Sequence, residues 1–329
     1  MKRTVLFALG VTLLLAALCA YGLLSGAVAI PAGDALGILL GRQRESAAAH
    51  IILSVRLPRI IMALLAGALL SSGGTVSQAV FRNPLADPYI IGISSGAVAG
   101  TALAFLLNLS DIWFGVFGFA GALVSSFLIF RLSGRAGGMA SLLITGVALS
   151  AFLSAVSSFI LYLAGQDAYR VMVWTMGYLG AASWVRVGLL VPPLLLSLAY
   201  FFYRRQDLDA LLLGDEEAHS LGLNVSRMKR NLLMAVSLTA AFSVAFTGMI
   251  GFVGLIVPHG VRLCAGSSHG RLLPLAAYSG GVFLLLADTL ARSILAPVEI
   301  PIGVVTAFFG APFFMFLAFR AGKDAYGGS

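Results

Sequence analysis

The sequence predicts an all-α polytopic membrane protein with about ten transmembrane helices. Apolar residues make up 60% and charged residues 10% of the 329 residues, whereas a soluble domain carries about 25% charged residues. Single charges divide the chain into long uncharged stretches, and a helix needs roughly 20 mostly apolar residues to cross a bilayer. Lys and Arg also fall about twice as often on one predicted side, which identifies that side as cytoplasmic.

The uncharged stretches predict the spans in chain order. The first is a retained span rather than a signal peptide, because its apolar part is too long and no strong cleavage site with a mature domain follows. The segment from Arg170 to Arg186 is too short to span and predicts an interfacial helix carrying Trp174, Tyr178 and Trp184. Eight of the predicted spans cover about residues 4–28, 59–81, 88–111, 112–131, 140–165, 187–203, 272–292 and 302–320, and the uncharged run 231–261 is predicted to hold the other two, span 7 and a shorter span 8.

Ten spans with both ends inside divide into two sets of five, residues 1–186 and 187–329 of a single permease-like domain. An odd number of spans per half makes the second half run inverted relative to the first, as in many transporters. Each half has a Pro-containing interruption, at Asn83-Pro84 and at Pro258-His259. In the second half, Gly and Pro break the uncharged run 231–261, and a broken helix in a membrane needs protein or a cavity around it.

Catalytic and metal-binding patterns are absent from the sequence. No Walker A loop, H-E-x-x-H or G-x-S-x-G occurs, and no His, Cys or carboxylate pair has metal-ligand spacing. Asp288 is the only acidic residue predicted within a span, and His259 is interpreted as a hydrogen-bonded structural group. The net charge of +8 is dispersed at span ends rather than gathered on one face, so it indicates topology and not nucleic-acid binding.

Four segments resemble one known family. They are RLPR at 56–59, NPLADP at 83–88, GMIGFVGLIVPH at 248–259 and EIPIGVVTAFFGAP at 299–312. Together they are similar to the FecCD-type permease subunit of bacterial ABC importers for ferric siderophores, haem or cobalamin. The resemblance runs over nearly the whole chain and both halves, and it does not specify which substrate is carried.

The resemblance implies the architecture of a type II ABC importer permease in the bacterial cytoplasmic membrane. The family forms a homodimer with the path at its axis, two ATP-binding cassette subunits inside and a substrate-binding protein outside. ATP and Mg would bind to the partner ATPases, no cofactor or metal would bind to this chain, and the chain would not itself be an enzyme.

The resemblance also assigns residues to docking surfaces. Residues 208–224 are expected to form two short helices with a turn at Gly222 that carry ATPase motion to the spans. Arg56, Arg59 and Arg292, at the outer span ends, would receive acidic side chains of the binding protein, because the planar guanidinium pairs bidentately with carboxylate. The coupling residues are Gly214, Glu216, Glu217, Ala218, Leu221 and Gly222.

Two further sets of residues are assigned to the path. The inner gate would include Asn83, Pro84 and Leu85, with Met139 and Ala140 where relatives carry a small polar pair. Because these last two residues are apolar, that gate would close by packing and dewetting. The broken-helix elements are Gly248, Gly251, Gly254, Pro258, His259, Pro301 and Gly303.

Several alternative functions stay open at this point. The chain could be an ABC permease for another small solute such as an oxyanion, or a secondary carrier working without an ATPase. The missing catalytic constellation argues against a membrane-embedded enzyme. The EIPIGVVTAFFGAP motif favours the FecCD type over a zinc or manganese ABC permease.

Overall fold

The computed structural model describes residues 2–26, 28–42, 45–133 and 139–326, and within these ranges the regular structure is helical. A π-helix, Ile51–Arg56, joins α3 to α4, and 3₁₀ helices occupy Pro88–Ile91 and Gly165–Ala168. The α-helices are α1 Lys2–Leu24, α2 Ala32–Leu39, α3 Ala47–His50, α4 Leu57–Phe81, α5 Ile93–Leu106, α6 Ile112–Leu132, α7 Met139–Ala164, α8 Tyr169–Thr175, α9 Trp184–Tyr203, α10 Arg205–Leu213, α11 Asp215–Ser220, α12 Val225–Thr247, α13 Val253–Ala265, α14 His269–Ser293 and α15 Ile302–Tyr326.

The helices confirm the ten predicted spans. Within the described ranges, seven helical segments are long and apolar enough to cross a membrane, and three shorter apolar helices correspond to predicted spans 3, 8 and 10. The predicted cytoplasmic segment forms two short helices, α10 and α11, followed by a turn at Gly222 with φ of 85°. The inverted relation between the two halves stays a prediction.

Helix α4 lies at the centre of the bundle, packed against α14, α12, α13 and α9. It is buried over almost its whole length. Its glycines allow neighbouring backbones to approach closely: a Cβ at Gly67 would lie 2.2 Å from the Gly280 carbonyl oxygen, and one at Gly74 would lie 1.8 Å from that of Gly254. Small residues of this kind hold membrane helices together, where lipid supplies no hydrophobic drive for helix association.

Glycines at four-residue spacing also join α5 to α6. A Cβ at Gly96 would lie 2.5 Å from the Gly121 carbonyl oxygen, and one at Gly100 would lie 2.0 Å from that of Phe117. The stripe formed by Gly92, Gly96 and Gly100 is therefore a packing surface.

The start of the second span was predicted wrongly at residue 59. The helical segment begins at Ala47 and continues through the π-helix into α4, so Arg56 and Arg59 lie inside it rather than at its end. Both residues are buried. Both arginines have partners within the protein, and these partners allow the charges to lie inside the helical segment.

The segment 170–186 contains the short helix α8, and the headgroup level of Trp174 stays a prediction. Its ring packs into the bundle, where Cη2 lies 2.7 Å from the Cβ position of Gly118. Trp184 remains partly exposed and donates from Nε1 to the Leu53 carbonyl oxygen at 2.8 Å.

Candidate functional site

Three interrupted segments meet where α12 breaks. Helix α12 ends at Thr247 and α13 begins at Val253. The Tyr178 amide donates to the Thr247 carbonyl oxygen at 2.8 Å, the Ile302 amide to that of Gly177 at 3.2 Å, and the Gly303 amide to that of Met176 at 2.8 Å. These bonds satisfy backbone groups that the break frees, which is the condition for irregular backbone at membrane depth.

The predicted glycines have different roles in this junction. Gly248 has φ of 67°, and a Cβ there would lie 2.2 Å from the Trp174 carbonyl oxygen, so both conformation and space require glycine. A Cβ at Gly303 would lie 2.5 Å from the Met176 carbonyl oxygen, and Gly254 packs against α4. Gly251 has no such contact. Pro301 precedes the first residue of α15.

Gln78 of α4 ties α13 to the core. Its Nε2 donates to the Leu255 carbonyl oxygen at 3.0 Å, and its Oε1 accepts from Arg262 at 3.0 Å. Pro258 lies within α13 and lacks an amide donor. His259 does not have the hydrogen bond expected of a structural histidine: its buried Nδ1 has no partner, and its ring makes a T-shaped contact with Phe313 at 6.1 Å.

The predicted gate residues form a turn after α4. Arg82 ends the helix with φ of 49°, and Asn83 Oδ1 accepts from the Leu85 amide at 2.9 Å. Asn83 and Pro84 are exposed, and Leu85 is half-buried. Ala140 is exposed in the first turn of α7, whereas the side chain of Met139 lies outside the described residues. Helix α7 packs on the 3₁₀ helix that follows the turn.

Asp87 closes this turn. Its Oδ1 accepts from the Tyr89 amide at 2.8 Å. Burial raises the pKa of the Asp87 carboxyl to about 6, and the bond from the Tyr89 amide opposes that rise. The turn next to the predicted gate therefore holds a carboxyl that titrates closer to neutrality than an ordinary aspartate.

The α10–α11 loop presents both charged and apolar residues to its surroundings. Glu216, Glu217 and Gly222 are exposed, and Leu213 and Leu221 expose 67% and 66% of their surface. Ala218 is fully buried beneath the loop, so its small size serves packing within this chain. Gly214, with φ of 142°, connects the two helices.

Two aspartates connect this loop to the membrane helices. Asp209 accepts from Ser268 Oγ at 3.2 Å, from the His269 amide at 2.8 Å and from His269 Nδ1 at 2.6 Å, and so caps the start of α14. Asp215 accepts from Lys229 Nζ at 2.7 Å through both oxygens. Its Oδ1 lies 3.9 Å from a terminal nitrogen of Arg82, the residue before the gate turn.

The three predicted docking arginines gather at the opposite end of the bundle, with partners in this chain. Arg59 donates to Asp288 at 2.9 and 3.0 Å and to Glu299 at 2.8 and 3.0 Å. Arg292 Nε lies 3.1 Å from Asp288 Oδ2, an ion pair without hydrogen-bond geometry. Asp288 is fully buried, whereas the Glu299 side chain is 36% exposed.

Arg56 has a different role in the same cluster. Its guanidinium donates to the carbonyl oxygens of Leu23 and Val28, at and just after the end of α1. A cation at this position satisfies carbonyls that the helix leaves unpaired and complements the helix dipole. Sequence reasoning missed the internal partners of these arginines. The i, i+4 spacing of Asp288 and Arg292 was the available signal.

Ten apolar helices, a broken-helix junction and a polar two-helix loop fixed to the bundle define a membrane transport protein. The model of the FecCD transport family matches residues 13–320. The chain belongs to this family, which comprises permease subunits of ABC importers whose ATPase is a separate subunit, and not enzymes. It is a protein of the inner membrane.

Relatives and solved structures agree with this assignment. A cobalamin import system permease protein, BtuC, of Halobacterium salinarum is 43% identical over 81% of this chain and 73% of the relative. The hemin transport system permease protein HmuU of Yersinia pestis is 40% identical over 84% of this chain and 86% of the relative. An inward-facing metal-chelate type ABC transporter is 32% identical with a TM-score of 0.84, covering 95% of this chain and 98% of that chain.

A more distant structural match shows the fold alone. PsaBC from Streptococcus pneumoniae, solved in complex with Fab, is 17% identical with a TM-score of 0.54 over 85% of this chain and 94% of that chain.

Proposed function

We propose that this permease imports a metal chelate, such as a ferric siderophore or haem, or cobalamin, by alternating access. The match to the FecCD transport family over residues 13–320 carries this proposal. The cobalamin and hemin permeases to which the chain is similar support the substrate class. All of these substrates are large, so the central passage must open widely while binding the substrate only weakly.

The working unit is a homodimer with the path at its axis and two ATP-binding cassette subunits on the cytoplasmic side. Helices α7 and α15 expose large apolar side chains, including Phe152, Phe159 and Phe308, which suits contact with lipid or a second copy. ATP and Mg bind to the ATPases, and this chain holds no cofactor of its own. Both termini lie in the cytoplasm, as the distribution of positive charges indicates.

The α10–α11 loop receives the ATPase motion. Exposed Leu213 and Leu221 seat in an apolar groove of the ATPase, with Glu216 and Glu217 at its rim. Asp209 then transmits displacement of the loop to α14, and Asp215 transmits it to α12 and, through Arg82, to the gate turn. Gate residues 83–85 and 139–140 separate as α7 and α15 move.

The arginine cluster receives the substrate-binding protein. Glu299 is the partly exposed acid of the cluster. An acidic side chain of the docked protein therefore replaces Glu299 as a partner of Arg59, while Asp288 keeps its contact with Arg59. Docking thereby changes the contacts of the segment that leads into α15. Arg292 supplies a second cation, and Arg56 holds the end of α1.

Reconstitution tests the proposed function. The permease, its ATPase and its binding protein are assembled in proteoliposomes, and uptake is measured for haem, a ferric siderophore, cobalamin and an oxyanion. We expect ATP-dependent uptake of a chelate or cobalamin only when all three components are present. Uptake by the permease alone would establish a secondary carrier. Uptake of the oxyanion and of none of the other substrates would show that the permease imports an oxyanion rather than a chelate or cobalamin.

Docking of the ATPase is tested separately by copurification. Leu221→Glu and Leu213→Glu place a charge on the proposed contact and are expected to release the ATPase. Leu40→Glu, at an exposed position near the opposite end of the bundle, is the matched control and should retain it. ATPase retention by both loop variants would contradict the assigned contact.

A further inference from the structure

A pocket of about 360 Å³ lies at the end of the bundle opposite the α10–α11 loop. It is formed where α6 and α9 begin and where α12 ends, with α8 beside it. Trp174, Tyr178 and Gly248 of the α12–α13 junction line one side of it, and the transport mechanism proposed above does not use its charged residues Asp111, Arg170 and Arg186. Its charged and aromatic lining residues include Arg170, Arg186, Phe114, Tyr169, Trp174 and Tyr178.

The pocket carries positive charge. Arg170 is paired with Asp111 and lies 5.9 Å from the centre of the Phe114 ring. The half-buried Arg186 has no ion pair, and its guanidinium has no hydrogen bond to any side chain or backbone group that the structure describes. Because the charge of Arg170 is balanced by Asp111, the guanidinium that remains free to bind an anion is that of Arg186.

Helix ends add to this charge. Helix α6, of 21 residues, begins at Ile112, and α9, of 20 residues, begins at Trp184. Ile112 and Arg186, in the first turns of these helices, both line the pocket. The start of a helix carries partial positive charge, which remains although Ser183 Oγ caps the Arg186 amide at 3.3 Å. Two such ends beside a free guanidinium favour an anion.

The surroundings indicate that the anion belongs to an amphiphile. Aromatic rings wall the pocket, and tyrosine and tryptophan are enriched at the level of lipid headgroups. Next to it, Val116 on α6 and Val185 and Leu189 on α9 expose more than half of their surface. A molecule with a charged head and an apolar chain would contact the pocket and this flank together.

We propose that the pocket binds the phosphate group of an anionic membrane phospholipid. The Arg186 guanidinium pairs with phosphate oxygens through its planar donors, and the acyl chains lie along the exposed apolar residues of α6 and α9. Free phosphate shares the headgroup chemistry but lacks the chains. Arg186 therefore makes the binding site selective for anionic headgroups. The exposed apolar residues of α6 and α9 make it selective for molecules that also carry an apolar chain.

Lipid titration tests this inference. The full chain is purified in a neutral detergent, and binding of phosphatidylglycerol, phosphatidylcholine and glycerol 3-phosphate is measured by native mass spectrometry and tryptophan fluorescence. We expect phosphatidylglycerol to bind most tightly. Arg186→Gln should raise its Kd about tenfold or more, the loss expected for one charge-assisted contact. Arg42→Gln, at an exposed cation near the same end of the bundle, should leave the Kd unchanged.

Three results would overturn the proposal: equal binding of the two lipids, unchanged binding by Arg186→Gln, or binding of glycerol 3-phosphate as tight as that of phosphatidylglycerol. The last would make the pocket a site for free anions. Arg186→Lys, which keeps the charge, separates a folding defect from lost binding. It should stay monodisperse and retain preference for the anionic lipid, and loss of that preference in a monodisperse Arg186→Lys sample would count against the charge argument.

Discussion

At the residue scale, buried charge is the feature that most distinguishes this protein. Arg59 and Asp288 are both buried and share three hydrogen bonds, and Glu299 also accepts from the guanidinium. Buried ion pairs contribute little net stability relative to apolar packing, but removal of one partner strands the other charge. The cluster therefore fixes the relative positions of α4, α14 and the segment before α15.

Asp288→Asn is expected to destabilise the protein by about 3 kcal/mol, because Arg59 and Arg292 lose their shared buried carboxylate. Denaturant unfolding in detergent, followed by circular dichroism, measures this loss. Asp111→Asn is the matched control, since its pair with Arg170 is exposed and worth at most about 1 kcal/mol. Equal effects of the two variants would contradict the assigned role of burial.

Asp87 gives a pH-dependent prediction. Its pKa is raised from 3.8 to about 6, so the folded protein binds the proton more tightly than the unfolded chain. Stability contributed by this group is therefore present near pH 4 and falls as pH rises to about 6. Asp87→Asn, whose amide oxygen still accepts from the Tyr89 amide, should be more stable than the wild type at pH 7.5, by at most about 3 kcal/mol.

The test of Asp87 is a set of melting curves between pH 4.5 and 7.5. The gain in melting temperature of Asp87→Asn over the wild type should shrink as the pH falls. Asp34→Asn, at an exposed position in α2, provides the control. A gain that is constant across this range would show that Asp87 does not titrate there.

At the element scale, close helix contacts and capped helix ends hold the bundle together. Helices α4 and α13 approach so closely at Gly74 and Gly254 that a side chain would overlap backbone. The loop helices α10 and α11 are bound through carboxylates that reach α14 and α12. These contacts join α13 to the central helix α4 and connect the loop to two membrane helices.

Gly74→Ala tests the contact between α4 and α13. The added Cβ would lie 1.8 Å from the Gly254 carbonyl oxygen, so the helices must separate. We expect a loss of about 2 kcal/mol or more, as for other overpacked sites. Gly260→Ala in α13 meets no atom within 4 Å and should be neutral or slightly stabilising. Comparable melting temperatures of the two variants would refute the close contact.

Asp209→Ala tests the connection from α10 to α14. It removes an acceptor for three donors at the start of α14. Transport per ATP hydrolysed should fall several-fold while the ATPase remains bound. Asp207→Ala, in the same helix, removes only a local pair with Arg204 and should transport normally. If both variants transport alike in proteoliposomes, Asp209 does not carry the coupling.

At the scale of the whole molecule, the chain is a membrane bundle with chemically different ends. One end carries the α10–α11 loop with exposed leucines and glutamates. The other carries the arginine cluster and the aromatic, positively charged pocket. An ATPase partner on one side and a binding protein on the other require this polarity in an ABC importer permease.

Cysteine labelling tests the proposed orientation. Cys19 and Cys264 are the only cysteines of the chain, and their replacement gives a background for single substitutions. In intact spheroplasts a membrane-impermeant maleimide should react with Arg42→Cys but not with Leu221→Cys, and permeabilisation should expose the second site. Labelling of both positions in intact spheroplasts would exclude the ten-span topology with cytoplasmic ends.

The order of the spans followed directly from the sequence, because an uncharged run of sufficient length has few stable alternatives to a membrane helix. The break after Thr247 and the two-helix loop were also predictable, since glycine, proline and polar residues mark them locally. The family followed from motifs in both halves. These features depend on residues that are near neighbours along the chain.

Contacts between distant segments were decided only by the tertiary structure. The sequence assigned Arg59 to a span end, whereas folding brings Asp288 and Glu299 to it from more than 200 residues away. Folding likewise turned Trp174 into the bundle and placed Asp209 at the start of α14. Charge and hydropathy determine the free energy of placing a residue in lipid. Which partner the residue contacts, and hence which role it has, depends on which helices pack together.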